Sequence, residues 1–195
     1  IREMAIGDEL RAIVTKKKRS SPGSFFELIL GFQRQHPDSF YASKAEAEIA
    51  PTRADLSATL AKISKFDELG DMHSKFELIK ESKSKFAKIA EFDEANKLWT
   101  AEAKSPEVKN SISAGSAYAT IFADLAKLDD RLATAQKKNK RITGRNKRTK
   151  AEDKAMASYM KKLKSLAAKL EKLASKHAGS YYGTVNNALR GKTGT

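Results

Sequence analysis

The sequence has no cysteine, only 4 prolines and only 3 histidines among 195 residues. Without cysteine the chain can form neither a disulfide framework nor a thiolate metal site. The histidines, His36, His73 and His177, are far apart and lack ligand spacing, so we expect no metal and no cofactor. Because proline is scarce while Ala, Lys, Leu and Glu recur, the composition predicts a soluble, all-α protein.

The sequence also lacks a long apolar run. Its longest apolar cluster, residues 25–32, is interrupted by Glu27. This cluster is far shorter than the roughly 20 residues that span a bilayer, so we expect no transmembrane segment. Hydrophobic residues still make up 40% of the chain, which is enough for a sizeable core in one large helical domain or two small ones.

Acidic residues are scarce in the last third of the chain. Residues 130–195 contain 18 Lys and Arg but only 4 Asp and Glu, whereas residues 1–129 contain 20 of each kind. The entire formal net charge of +14 therefore lies in the C-terminal third. A neutral body joined to a cationic arm predicts an anionic partner for the arm: nucleic acid, an anionic membrane or an acidic protein.

Start and stop signals divide the first half of the chain into helices. The predicted helices cover residues 3–19, 24–35, 38–49, 53–69 and 75–103. Thr52 with Asp55 and Ser74 with Glu77 resemble capping boxes, which would open the last two of these helices. Gly70 is a plausible stop signal between them.

Two stretches of the last third repeat apolar residues at alternating spacings of three and four. The first comprises Tyr118, Ile121, Leu125, Leu128, Leu132 and Ala135, and the second Met156, Tyr159, Leu163, Leu166, Leu170, Leu173 and His177. This spacing is typical of heptad seams. Ser105-Pro106 marks a helix start upstream. We therefore predict antiparallel helices over 115–136 and 151–177, joined by a loop over 137–150 in a coiled-coil-like hairpin.

The chain is expected to divide into a charge-neutral helical body, a helical hairpin, and a short helix with a loose tail. These parts cover residues 1–104, 105–178 and 179–195. Aromatic residues bury large apolar areas, so those of the body should lie inside: Phe25, Phe26, Phe32, Phe66, Phe76, Phe86, Phe92 and Trp99. The most buried residues of the hairpin should be Leu125, Leu128, Leu163, Leu166 and Leu170.

Segment 137–150 is the best candidate for a functional site, because eight of its fourteen residues are basic and none is acidic. Exposed cations suit phosphate binding, which counterion release drives. With two lysines of the following helix, the predicted nucleic-acid site comprises Lys137, Lys138, Lys140, Arg141, Arg145, Lys147, Arg148, Lys150, Lys161 and Lys164. The segment contains no aromatic residue, so base stacking and sequence readout are not expected. The other interpretations are a solvated loop without a partner and a contact with an acidic protein or a membrane surface.

Signals for an enzyme are weak. Carboxylates stand beside lysines on helix faces, and nothing pairs them in a cleft, so we predict no catalytic residues and no enzyme. The first hypothesis is a non-enzymatic nucleic-acid-associated protein that contacts the phosphate backbone without sequence specificity. The alternative is a structural subunit of a large assembly, a virion or a multi-protein complex, whose basic hairpin docks on acidic protein surfaces. The sequence leaves the location unknown, and a nucleoprotein particle would satisfy both hypotheses.

Overall fold

The computed structural model describes the backbone of residues 2–143 and 149–185, and the side chains of residues 2–138 and 149–185. These ranges contain helices and no strand, which confirms the all-α prediction. Their α-helices are α1 (Arg2–Thr15), α2 (Pro22–Gln35), α3 (Phe40–Leu69), α4 (Met72–Phe86), α5 (Ala90–Glu102), α6 (Pro106–Thr143) and α7 (Lys150–Lys176). A 3-10 turn at Lys17–Arg19 follows α1, and residues 181–185 are also helical.

The chain divides into two compact units, Ile1–Val108 and Lys109–Thr195. The boundary falls in the first turn of α6, so α1 to α5 belong to the first unit. Most of α6 and the whole of α7 belong to the second unit. The finer division into three parts stays a prediction.

The first unit has an aromatic core. Six of the eight aromatic side chains expected inside are buried, namely Phe25, Phe26, Phe32, Phe86, Phe92 and Trp99. Phe66 and Phe76 are only half-buried. The rings of Phe86 and Phe92 pack with their centroids 5.6 Å apart. Each such side chain contributes about 1.5–3 kcal/mol relative to an exposed position, so this cluster is a main source of the unit's stability.

One long helix, α3, replaces the two helices predicted over 38–49 and 53–69. The chain continues helically through Pro51, so the capping box predicted at Thr52 is wrong. Pro51 cannot donate the usual backbone hydrogen bond, which ordinarily breaks a helix. Ile49, Leu56 and Ile63 are all buried, and α3 packs against both α2 and α4. This continuous packing offsets the missing hydrogen bond. Gly70 ends the helix as predicted, with a left-handed φ of 69°.

The single helix predicted over 75–103 is also wrong, because the chain breaks between α4 and α5. Lys88, in the break, has a φ of 76°. In a continuous helix Phe86 and Phe92 would point about 120° apart. The break lets both rings enter the same core. The predicted cap at Ser74 is replaced by Asp71, whose side chain accepts a hydrogen bond of 3.0 Å from the Ser74 backbone N–H.

In the second unit, α6 and α7 pack through their apolar stripes. Four side chains form the buried cluster that we call the seam: Ile121, Leu128, Leu166 and Leu173, each 7–8% exposed. Tyr118, Leu125, Tyr159 and Leu170 pack against it while remaining partly exposed. A hydrogen bond of 2.8 Å joins His177 Nδ1 to Asn110 Oδ1. The start of α6 therefore lies beside the end of α7.

Five leucines were expected to be the most buried residues of α6 and α7, and this prediction is wrong for three of them. Leu128 and Leu166 are buried, but Leu125, Leu163 and Leu170 are only half-buried. The buried residues repeat every seven positions, and so do the half-buried ones. The buried side chains form a line between the two packed helices, whereas the half-buried side chains form a line at the open edge of the contact.

The predicted loop over 137–150 is wrong at both ends. Helix α6 continues to Thr143, and α7 already begins at Lys150. Thr149 caps α7 by accepting a hydrogen bond from the Glu152 backbone N–H. The extension of α6 has a simple cause, because Lys and Arg are good helix formers and suit the negative end of the helix dipole.

We expect Gly23→Ala to lower the free energy of unfolding by about 1–3 kcal/mol, because the added carbon overpacks the core. A Cβ on Gly23 would lie 2.2 Å from the Ala87 carbonyl oxygen. Gly31 in the same helix is the matched control, since its Cβ would meet nothing within 4 Å. Gly31→Ala should raise the free energy of unfolding by about 0.5–1 kcal/mol. Urea denaturation measures both, and equal effects would contradict the packing around Gly23.

Replacing Leu166 by Ala should lower the free energy of unfolding by about 2–5 kcal/mol, because it leaves a cavity in the seam. The control is Leu163→Ala, which removes the same atoms from a half-buried position on the same helix. Its loss should be clearly smaller. Denaturation monitored by circular dichroism gives both values, and a larger loss for Leu163 would contradict the assignment of the seam.

Candidate polyanion-binding surface

The second unit carries many exposed cations. Those with described side chains are Lys109, Lys127, Arg131, Lys137, Lys138, Lys150, Lys154, Lys161, Lys162, Lys164, Lys169, Lys172 and Lys176. None of them forms an ion pair with a described carboxylate, whereas the first unit contains pairs such as Lys17 with Glu48 at 2.8 Å. The charges of the second unit therefore face solvent and are accessible to an external anion.

The predicted site residues whose side chains are described lie in separate stretches of α6 and α7. Lys137 and Lys138 are exposed near the end of α6, and Lys150 is exposed at the start of α7. Lys161 and Lys164 lie at least about 16 Å further along α7. The side chains of Lys140 and Arg141 lie outside the described side chains. Three further site residues lie outside the described residues: Arg145, Lys147 and Arg148.

A groove runs along one side of the contact between α6 and α7. It consists of three adjoining cavities of about 210, 280 and 400 Å³, which share lining residues. Its floor is the seam. Its walls contain small side chains: Ser113, Ala117, Thr120, Ala155, Ser158 and Ser165. The channel is lined by hydroxyl groups, by lysine and arginine side chains, and by apolar atoms that include those of Leu132 and Tyr159.

Six cations surround this groove, and we call them the groove cations: Lys127, Arg131, Lys162, Lys169, Lys172 and Lys176. The one carboxylate that lines the described groove is that of Asp124, which is half-buried. A cleft lined by one sign of charge with low-dielectric walls focuses the field and concentrates counterions. The groove is therefore a feature in which the fold brings cations of both helices together around one cleft.

None of the groove cations belongs to the site that the sequence predicted. A usable signal was present, because Lys162, Lys169 and Lys176 recur every seven residues beside the apolar seam. Heptad spacing keeps side chains on one line along a helix, and positions flanking a seam face the partner helix. The α6 cations could not be assigned to the same groove until the pairing of the two helices was known.

The residues after α7 form a packed turn at one end of the groove. Ser180 Oγ donates a hydrogen bond of 2.7 Å to the His177 carbonyl oxygen, and the Gly183 N–H donates one of 3.2 Å to Ser180 Oγ. Tyr182 is 8% exposed, and its ring lies 5.1 Å from that of Tyr118. Burial leaves the Tyr182 ring without a free face on which a nucleic-acid base could stack.

A hydrogen bond between side chains also links the two helices. The Tyr159 hydroxyl donates to Asp129 Oδ1 over 2.8 Å. This bond, with partial desolvation and the negative charge of Asp129, raises the pKa of Tyr159 above its ordinary value. The direction follows because the bond and the charge both favour the neutral phenol.

The parts of the chain that the structure describes contain no group of three or more His, Asp or Glu that could hold a metal ion. None of the described helices combines the length and apolar character needed to cross a membrane. Comparisons of the chain with protein-family models, with curated proteins and with solved structures found no match. Functional inference therefore depends on the charge, geometry and exposure described above.

Asp129→Asn should lower the pKa of Tyr159, because the amide removes the negative charge that favours the neutral phenol. The measurement is ultraviolet titration of the tyrosines, with Tyr159→Phe identifying the contribution of this residue. Asp130→Asn is the matched control, since Asp130 is a neighbouring exposed acid on the same helix. An equal shift from Asp130→Asn would show that overall charge, rather than the contact, sets this pKa.

Proposed function

We propose that the protein is a non-enzymatic nucleic-acid-associated protein that contacts the phosphate backbone without sequence specificity. In this proposal α6 and α7 act as a coiled-coil-like antiparallel hairpin, and the cations of segment 137–150 with Lys161 and Lys164 bind phosphates. The observation that carries the proposal is the set of exposed cations on α6 and α7 that have no described acidic partner.

Phosphate binding fits this charge distribution for two reasons. Each cation that neutralises a phosphate releases condensed counterions, so affinity accumulates over many weak contacts. Arg can hold a phosphate bidentately, while Lys acts as a point charge, and neither contact depends on the base. The buried Tyr182 ring and the absence of aromatic residues from segment 137–150 agree with weak base recognition.

The alternative function is a structural subunit of a large assembly whose basic hairpin docks on acidic protein surfaces. The observation that favours it lies in the first unit. Met4 is 72% exposed and Phe40 67% exposed. Met4 follows Glu3 and Phe40 follows Ser39 in the chain, and the Ser39 hydroxyl donates a hydrogen bond of 3.0 Å to the Glu3 carboxylate. Exposed apolar patches on helical units are common at assembly interfaces.

The salt dependence of binding to random duplex DNA tests the proposal. If about five phosphates are neutralised, log affinity should fall against log salt concentration with a slope near −4.5. Changing the eight cations of segment 137–150 to Gln should weaken binding and flatten this slope. The control changes eight exposed lysines of the first unit to Gln: Lys16, Lys18, Lys62, Lys65, Lys83, Lys88, Lys97 and Lys104. Both variants lose the same formal charge, and the control should retain the steep slope.

Two outcomes would contradict the proposal. Absence of salt-sensitive binding by the intact chain near about 50 mM salt would remove nucleic acid as the partner. Equal losses in the two variants would mean that net charge alone, rather than the hairpin, drives association. In either case the assembly alternative gains, and sedimentation of the intact chain at increasing concentration would then test self-association.

A further inference from the structure

We infer that the groove between α6 and α7 binds a single sugar–phosphate strand, with the groove cations as its phosphate contacts. This inference rests on the proposed function, because it takes nucleic acid as the partner. It places the main contact along the side of the two helices, on residues outside the site predicted from the sequence.

The charges on the two helices favour an anion in the groove. Lys127 and Arg131 on α6 line the same cavity as Lys162 and Lys169 on α7. Positions that flank a helical seam usually carry opposite charges, which pair across it. Here the two helices present like charges to each other, with Asp124 as the one acid among the described lining residues. Phosphates inserted between the two rows of cations would remove this repulsion, so an anion stabilises the contact it occupies.

The length and width of the groove suit a single extended strand. The groove extends along α6 from Ser113 to Leu132, which corresponds to about 28 Å of helix. Packed helices have axes only about 8–10 Å apart, so the groove between them is narrow. It can receive one extended backbone, but not the full width of a duplex. The ligand that suits it is therefore long, slender and charged at regular intervals.

The residues that line the groove distinguish a nucleic-acid strand from an acidic amphipathic helix as its ligand. A partner helix gains affinity by burying apolar surface, at about 25 cal/mol per Å². The four seam side chains are only 7–8% exposed, and the apolar surface that remains in the groove includes half-buried Leu132 and Tyr159. The groove cations and the hydroxyls of Ser113, Ser158 and Ser165 line the groove as well, and all of them can donate to phosphate oxygens. The groove therefore favours phosphates over an apolar helix face.

A matched pair of quadruple variants tests the inference in the intact chain. The groove variant carries Lys127→Gln, Lys162→Gln, Lys169→Gln and Lys176→Gln. The control variant carries Lys62→Gln, Lys65→Gln, Lys97→Gln and Lys104→Gln, which removes the same charge from exposed positions of the first unit that belong neither to the groove nor to the predicted site. With a random single-stranded oligonucleotide, the groove variant should flatten the salt slope by about 2.8, or 0.7 for each of four lost phosphate contacts. The control should change the slope less.

Asp124→Asn provides a test in the opposite direction. Removing this carboxylate from the groove should strengthen oligonucleotide binding several-fold, whereas Asp130→Asn, outside the groove, should have a smaller effect. Circular dichroism of every variant checks that the helices are retained. If the groove variant is unfolded, the pair of aspartate variants still decides the question.

The outcomes distinguish this inference from the proposed function. If the control variant loses as much binding as the groove variant, or if Asp124→Asn does not exceed Asp130→Asn, the groove is not the site. Binding that depends only on segment 137–150 would preserve the proposed function and overturn this inference. If the intact chain binds no oligonucleotide but binds an acidic Leu-heptad peptide through the groove cations, both are overturned in favour of a protein partner.

Discussion

The contact of Ile121 and Leu128 with Leu166 and Leu173 is the constraint on which the second unit depends. Each of the two long helices has one apolar stripe, and the stripes can leave water only against each other. Once they are joined, the remaining positions of α7 face outward or along the edge of the contact, apart from the buried Glu152 and Ala174. Because eight of the exposed positions are lysine, burial of the seam also fixes where the positive charge is displayed.

The two units handle charge in different ways. In the first unit seven lysine and arginine side chains pair with carboxylates, and even the buried Lys75, 5% exposed, contacts both Asp67 and Glu102. The second unit has no comparable partners among its described residues, so its lysines repel one another and weaken the compact state. The seam must offset this repulsion. An anion in the groove would relieve it, which is why the same charges that limit stability also support the proposed function.

Local sequence signals predicted some helix ends and missed others. Gly70 ends α3 because only a residue without a Cβ adopts a positive φ there at low cost. Pro51 and Lys88 show the limits of such signals. Packing of α3 against two neighbours holds a helix together across a proline, while the shared core of Phe86 and Phe92 demands a break where the residues permit continued helix. In both places tertiary packing outweighed local preference.

The sequence by itself determined the helical class, the apolar stripes of α6 and α7, and the concentration of positive charge in the last third. These properties follow from composition and spacing, which are local. Only the tertiary structure decided that Leu128 and Leu166 are buried while Leu125 and Leu163 stay half-exposed. It also decided that Lys127 and Lys162 share one groove. The pairing of two helices determines which flanks meet, and heptad spacing within each helix carries no information on that pairing.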